Sequence, residues 1–134
     1  MITLVNIKDW IKTLDTGAEH FYTGKLENKK NKSIGIYQLN NSKPPNIALG
    51  GLKNTSYIRK SVSILIHWTN DSEETEKAGI SLYQKLLNIK DVEINGIKVF
   101  YINLLVDEPK DVGTDNNNIY ERVIQVEFFY ERND

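Results

Sequence analysis

Cysteine is absent from the 134-residue sequence, which removes disulfides, thiolate nucleophiles and cysteine-ligated zinc together. Histidine occurs twice, as His20 and His67, on separate predicted strands with no cysteine to complete a ligand set. A serine triad is not excluded by composition, but no GxSxG elbow positions a serine. His67, beside Trp68, therefore reads as a sheet-face residue rather than a base. Neither GxxxxGK[ST] nor GxGxxG occurs, so no glycine-rich loop is built to hold phosphate. The formal net charge of -1 supplies no global field toward nucleic acid or an acidic membrane. No apolar run approaches the roughly 20 residues that a membrane helix needs. The N-terminal stretch acquires charge at Lys8 and Asp9 and does not read as a secretory signal. These absences agree with an intracellular origin and leave no catalytic centre, metal or cofactor to assign.

What is present is an ordinary folded chain, 40% hydrophobic and 26% charged, of a length that suits one domain spanning 1–134. Its most strongly patterned stretch is 119–131. Ile124, Val126, Phe128 and Tyr130 recur at a spacing of two, with Arg122 opening the row, while Glu121, Gln125 and Glu127 occupy the other face. This alternation predicts a half-buried strand, about 40 Å long at ~3.3 Å per residue.

From the N-terminus, Leu4, Ile7, Ile11 and Leu14 share a helical face widened by Trp10, which predicts a helix over 3–15 ending near Gly17. Residues 20–26 and 33–39 read as short strands joined by a polar turn. Lys25, Lys29, Lys30 and Lys32 make that turn the most basic local cluster; it reads as a solvated hairpin tip, with a phosphate-binding tip as the alternative. Between 40 and 57, Pro44, Pro45, Gly50 and Gly51 break regular structure. Ile47, Leu49 and Leu52 nevertheless give this loop apolar content that a merely solvated connection does not need. Alternation returns at 58–68, with Val62, Ile64, Ile66 and Trp68 on one face. A helix follows over 72–88, capped by Asn70 or Asp71 with Glu73 or Glu74 at the capping-box spacing. Its expected buried row is Ala78, Leu82 and Leu86, with Ile80, Tyr83 and Leu87 alongside. Asn95-Gly96 predicts a type I′ hairpin whose second arm runs on to Val106.

The run DEPKDVGTDNNN over 107–118 is polar and acidic, with Val112 its one apolar side chain of the large aliphatic kind. A calcium-loop reading through Asp107, Glu108, Asp111 and Asp115 fails, because Gly113 stands at the third position and no glutamate at the twelfth. Ordering each residue costs on the order of 1–2 kcal/mol, which one valine does not repay, so the expectation is a loop mobile in the free subunit. It either connects two strands or is held by a partner through its four acids. The elements run α-β-β-β-α-β-β-β, an α+β domain with a mixed, mostly antiparallel sheet and two main helices packed on it.

Several segments in this order resemble a known family, the minor capsid proteins of tailed bacteriophages that act as tail terminators. They are Gly50-Gly51-Leu52, Thr55-Ser56-Tyr57, the strand from Ser63 to Trp68, then Glu73, Glu74, Ala78 and Leu82-Tyr83. Asp107-Glu108-Pro109, Asp111 to Asp115, and Tyr120 to Val123 complete the set. The resemblance implies a virion protein made in the bacterial host cytoplasm and placed at the head-tail joint. It implies a homo-oligomeric ring, usually a hexamer, that caps the tail tube protein and meets the head connector or completion proteins. Genomic DNA passes through such a ring without sequence-specific binding, and neither membrane nor cofactor is involved. The candidate assembly residues are Ile47, Leu49, Gly50, Gly51, Leu52, Asp107, Glu108, Asp111 and Asp115. Two other readings stand beside it: a head-completion or adaptor protein of the same joint, and a small ligand-binding α+β domain.

Overall fold

The strand expected at 119–131 is the axis of the sheet. In the computed structural model, which describes residues 1–24, 30–39 and 57–131, it runs as β7 (Tyr120–Glu131). One edge of β7 pairs antiparallel along its whole length with β3 (Tyr57–His67), from Tyr57 opposite Glu131 to His67 opposite Glu121. The other edge is shared. β5 (Ile97–Leu104) takes the half from Tyr130 to Val126, and β6 (Lys110–Thr114) takes the half from Val123 to Tyr120. Outside them lie β2 (Ser33–Gln38) and β1 (His20–Thr23) on the β3 side, and β4 (Val92–Ile94) beyond β5, giving the order β1-β2-β3-β7-β5-β4. The molecule is thus α+β, with one parallel pair in an otherwise antiparallel sheet.

The period of two decides which face is covered. Val62, Ile64, Ile66, Ile124, Val126, Phe128 and Tyr130 are all buried, as the alternation requires, in one core with Ile34, Ile36 and Ile102. Both helices lie on that face. α1 (Leu4–Lys12) begins at Thr3, whose Oγ1 accepts from Asn6 N–H at 3.1 Å while Asn6 Oδ1 accepts from Thr3 N–H at 3.0 Å. This reciprocal cap satisfies two amides that the first turn would leave unpaired. Ile7, Trp10 and Ile11 turn inward, and the Trp10 ring meets Phe128 edge-on at 5.8 Å. An aromatic pair of this geometry adds about 0.5–1.5 kcal/mol to its area burial, and α1 depends on such packing because a nine-residue helix is marginal alone. α1 touches β1 and β2 at one end of the sheet and β4 at the other, so the sheet curls around it.

α2 (Ser72–Leu87) starts at Asp71, whose Oδ1 accepts from the N–H groups of Glu73 and Glu74 at 3.0 and 3.2 Å. The reciprocal half of the expected box is replaced: Asp71 N–H donates to Thr69 Oγ1 at 3.2 Å. Its buried row is Thr75, Gly79, Leu82 and Leu86, with Ala78 and Tyr83 half-buried beside it. Ile80 and Leu87, expected alongside, are exposed instead. The hairpin at Asn95-Gly96 has φ of 53° and 75°, the left-handed pair that a type I′ turn demands.

Three expectations are corrected. α1 stops at Lys12, where Thr13 caps it, rather than at residue 15. β1 and β2 are not a hairpin: they run parallel, with Phe21 beside Ile34 and Thr23 beside Ile36. Alternation marks each segment as a strand without fixing its direction, and α1 packs against both strands. The third is the largest. Residues 107–118, expected to lack regular structure, contain β6.

Candidate assembly surface

The acidic segment is held at both ends and along its middle. Pro109 is buried against Gly79 of α2, where a Cβ would lie only 3.1 Å from the proline Cβ, so the missing side chain makes the room. Pro109 O accepts from Arg122 Nη1 at 3.2 Å, and Arg122 Nη2 lies 3.7 Å from Glu76, so one guanidinium bridges β7, the loop and α2. β6 then pairs with β7, Lys110 opposite Val123 and Thr114 opposite Tyr120, with an irregularity between Asp111 and Gly113. Gly113 takes φ of 91°, which only glycine adopts freely, and its N–H is bound by Asp111 Oδ1 at 2.9 Å. All five residues of β6 are exposed, so the strand is held by its backbone and not by a core of its own.

Asp115 closes the far end. Its Oδ1 accepts from Asn117 N–H at 2.8 Å and Ile119 N–H at 3.0 Å, and its own N–H donates to Ile119 O at 3.0 Å. This aspartate-centred turn leads into β7. Its Oδ2 lies 3.6 Å from Nε2 of His67, which is fully buried. The other ring nitrogen, Nδ1, is 2.9 Å from Glu121 Oε2. His67 is indeed a sheet-face residue, flanked by a carboxylate on each side, and no group among the described residues has the makings of a metal site.

The acids therefore divide. Asp107, Glu108 and Asp111 are exposed, whereas the Asp115 carboxylate points inward. Asp107 binds Lys110 Nζ at 2.6 Å, and that ammonium holds its carboxyl below the usual carboxylate range while the Lys110 ammonium is raised in turn. Ile47, Leu49, Gly50, Gly51 and Leu52 lie outside the described residues.

Sequence reasoning missed the sheet face that carries no helix. There Glu127 is buried, its Oε1 accepting from Asn103 Nδ2 at 3.0 Å and its Oε2 from Ser61 Oγ at 3.3 Å, with Arg59 Nε at 3.6 Å. Beside it four aromatic rings form a chain: Phe100 to Tyr57 at 6.0 Å, Tyr57 to Phe129 at 5.7 Å, and Phe129 to Tyr101 at 5.5 Å. A signal existed. Tyr57, Phe129 and Tyr101 occupy alternate positions opposite to the core row, and an apolar ring there needs a reason. Phe100 joins them because the irregularity between Val99 and Tyr101 turns two successive side chains to one face.

A long central strand, an exposed acidic segment held on its edge and, among the described residues, helices on one face only suit a protein whose other face meets something else. The family model for bacteriophage tail terminator proteins matches residues 2–132. This chain belongs to the bacteriophage tail terminator family. No curated protein is a significant match to it. Membership makes the chain a structural component of the phage tail and of the virion, interacting with tail and head components. No helix among the described residues is long and apolar enough to cross a membrane.

Proposed function

We propose that the protein caps the finished tail tube as a homo-oligomeric ring, a hexamer, and offers the opposite surface to the head connector at the head-tail joint. The observation that carries this reading is the family match over residues 2–132. The candidate contacts are the apolar residues Ile47, Leu49 and Leu52 with Gly50 and Gly51, and the exposed acids Asp107, Glu108 and Asp111. Anchoring of the acidic segment by Pro109 and β6 supports the second set, because contacts on a held segment forgo most of the ordering cost that a mobile loop pays on binding. DNA would pass through the ring without base-specific contacts, and no residue is assigned a catalytic role.

Electron microscopy of the purified protein mixed with assembled tail tubes tests the reading. Rings of fixed copy number at one end of each tube are expected, with sedimentation of the free protein showing species above the monomer at high concentration. A chain that stays monomeric and leaves tube ends bare overturns it.

A further inference from the structure

β4 covers only the beginning of β5: Val92 to Ile94 pair with Val99 to Ile97, and Phe100 to Leu104 have no strand on their outer side among the described residues. The inner side of β5 belongs to β7, where Leu105 N–H donates to Gln125 O at 2.8 Å. Backbone direction alternates along an antiparallel strand, so Asn103 also faces β7 while the N–H and C=O groups of Ile102 and Leu104 face outward. Beside this edge runs an open groove of about 440 Å³, walled by Tyr83 and Leu87 of α2 and by Ile89 and Lys90 just beyond it. The groove is apolar where it meets solvent: Leu87, Phe100 and Tyr101 are 61%, 40% and 54% exposed.

Free sheet edges are normally blunted with charge, because unpaired backbone recruits foreign strands. β6 obeys this rule, with Lys110, Asp111 and a bulge among its exposed residues. The open stretch of β5 breaks it, since Phe100-Tyr101-Ile102-Asn103-Leu104 contains no charge. It is an edge left receptive.

We propose that this edge and its groove take up an extended segment of a different protein as an added strand. The backbone of the segment bonds to Ile102 and Leu104, over a length of about 17 Å at ~3.3 Å per residue. Its alternate side chains are apolar and enter the groove against Tyr83 and Leu87. An acidic residue stands at the end near the exposed Lys90, which follows from charge complementarity. Among the described residues the other free edges do not supply such a strand: β6 is polar, Phe21 of β1 packs against its own core, and β4 is three residues long with Ile94 buried. The inference does not rest on the ring reading, because the groove lies within one chain.

The test titrates labelled protein with the synthetic peptide acetyl-Glu-Val-Thr-Val-Thr-Val-amide, and with the same peptide N-methylated at alternate residues. Saturable shifts are expected at residues 100–104 and at Leu87, with exchange of the Ile102 and Leu104 amides slowed by about tenfold or more on binding. The N-methylated peptide, unable to complete the ladder, should not bind. Leu87→Lys, at an exposed position, should weaken binding by roughly tenfold or more without changing thermal stability. Equal binding of the two peptides, or no shift at millimolar peptide, overturns the proposal. So does slow exchange of those amides in concentrated free protein that quickens on dilution, which would show a second copy on the edge. Ring formation on tube ends is scored separately by microscopy, so failure of one reading leaves the other standing.

Discussion

β7 is flanked by antiparallel strands on both edges, but its partnerships with β3 and with β6 differ in kind. Against β3 it pairs without interruption from Tyr120's neighbour Glu121 to Glu131, and alternate pairs such as Val62–Val126 and Ile64–Ile124 bury apolar side chains under the helices. Against β6 it pairs through a bulge, and every β6 residue is exposed. The first partnership is held by the hydrophobic effect acting on side chains. The second is held by backbone hydrogen bonds, by the packing of Pro109 against Gly79, and by two polar fastenings, Arg122 on Pro109 O and Asp115 in its own turn. The expectation is that a candidate contact surface built the second way detaches without unfolding the molecule, whereas the β3–β7 layer does not.

The comparison breaks most completely at Ile124. Ile124→Asp places a carboxylate in a fully buried apolar row and should cost upwards of about 4 kcal/mol, a large share of the ~5–15 typical of a domain. Soluble yield and the urea midpoint should both collapse. Gln125→Asp, one residue along on the helix-free face, should lower the midpoint far less; equal damage would show the faces to be misassigned.

Next in size is Gly79→Val. Its side chain enters space that Pro109 occupies, and overpacking of this kind costs about 1–3 kcal/mol. The expected signature is local: faster hydrogen exchange in β6, with the amides of Ile124 to Phe128 still protected. Loss of protection along both edges of β7 would mean that the two partnerships are one cooperative unit.

Asp115→Ala removes the acceptor for the Asn117 and Ile119 amides and the carboxylate beside His67. A loss of about 1–2 kcal/mol is expected, read as accelerated exchange at Ile119 with β3 unaffected. Unchanged exchange at Ile119 would show that the turn holds itself by backbone alone.

The smallest effect belongs to Asp107 and Lys110. Because the Asp107 carboxyl is held below its usual range, its contribution is present at neutral pH and is lost as the pH falls below the ordinary carboxylate value and through the folded one. Lys110→Ala should return the Asp107 titration, followed by carboxyl NMR, to the ordinary range. Both groups are fully solvated, so the unfolding midpoint should not move measurably.

The sequence by itself determined the elements whose evidence is local. β7 and β3 were legible because a period of two over 11 or 12 residues admits one face assignment, and α2 because its cap and apolar row agree. The I′ turn followed from Asn95-Gly96, since few other pairs accept two positive φ values. What the tertiary structure alone decided rests on backbone pairing and on polar contacts between residues far apart in the chain. β6 has no alternation to read, because its stability comes from the unfilled edge of β7. The parallel pairing of β1 and β2 is visible only in the folded sheet, where α1 packs against both. Asp115 reads as one surface acid among four until His67, from a strand far earlier in the chain, is placed beside it. Glu127 is likewise buried only because Ser61, 66 residues away, and Asn103 meet it across two strand pairings. Patterns of hydrophobicity report burial of apolar groups; satisfaction of polar ones depends on partners that only the folded sheet brings together.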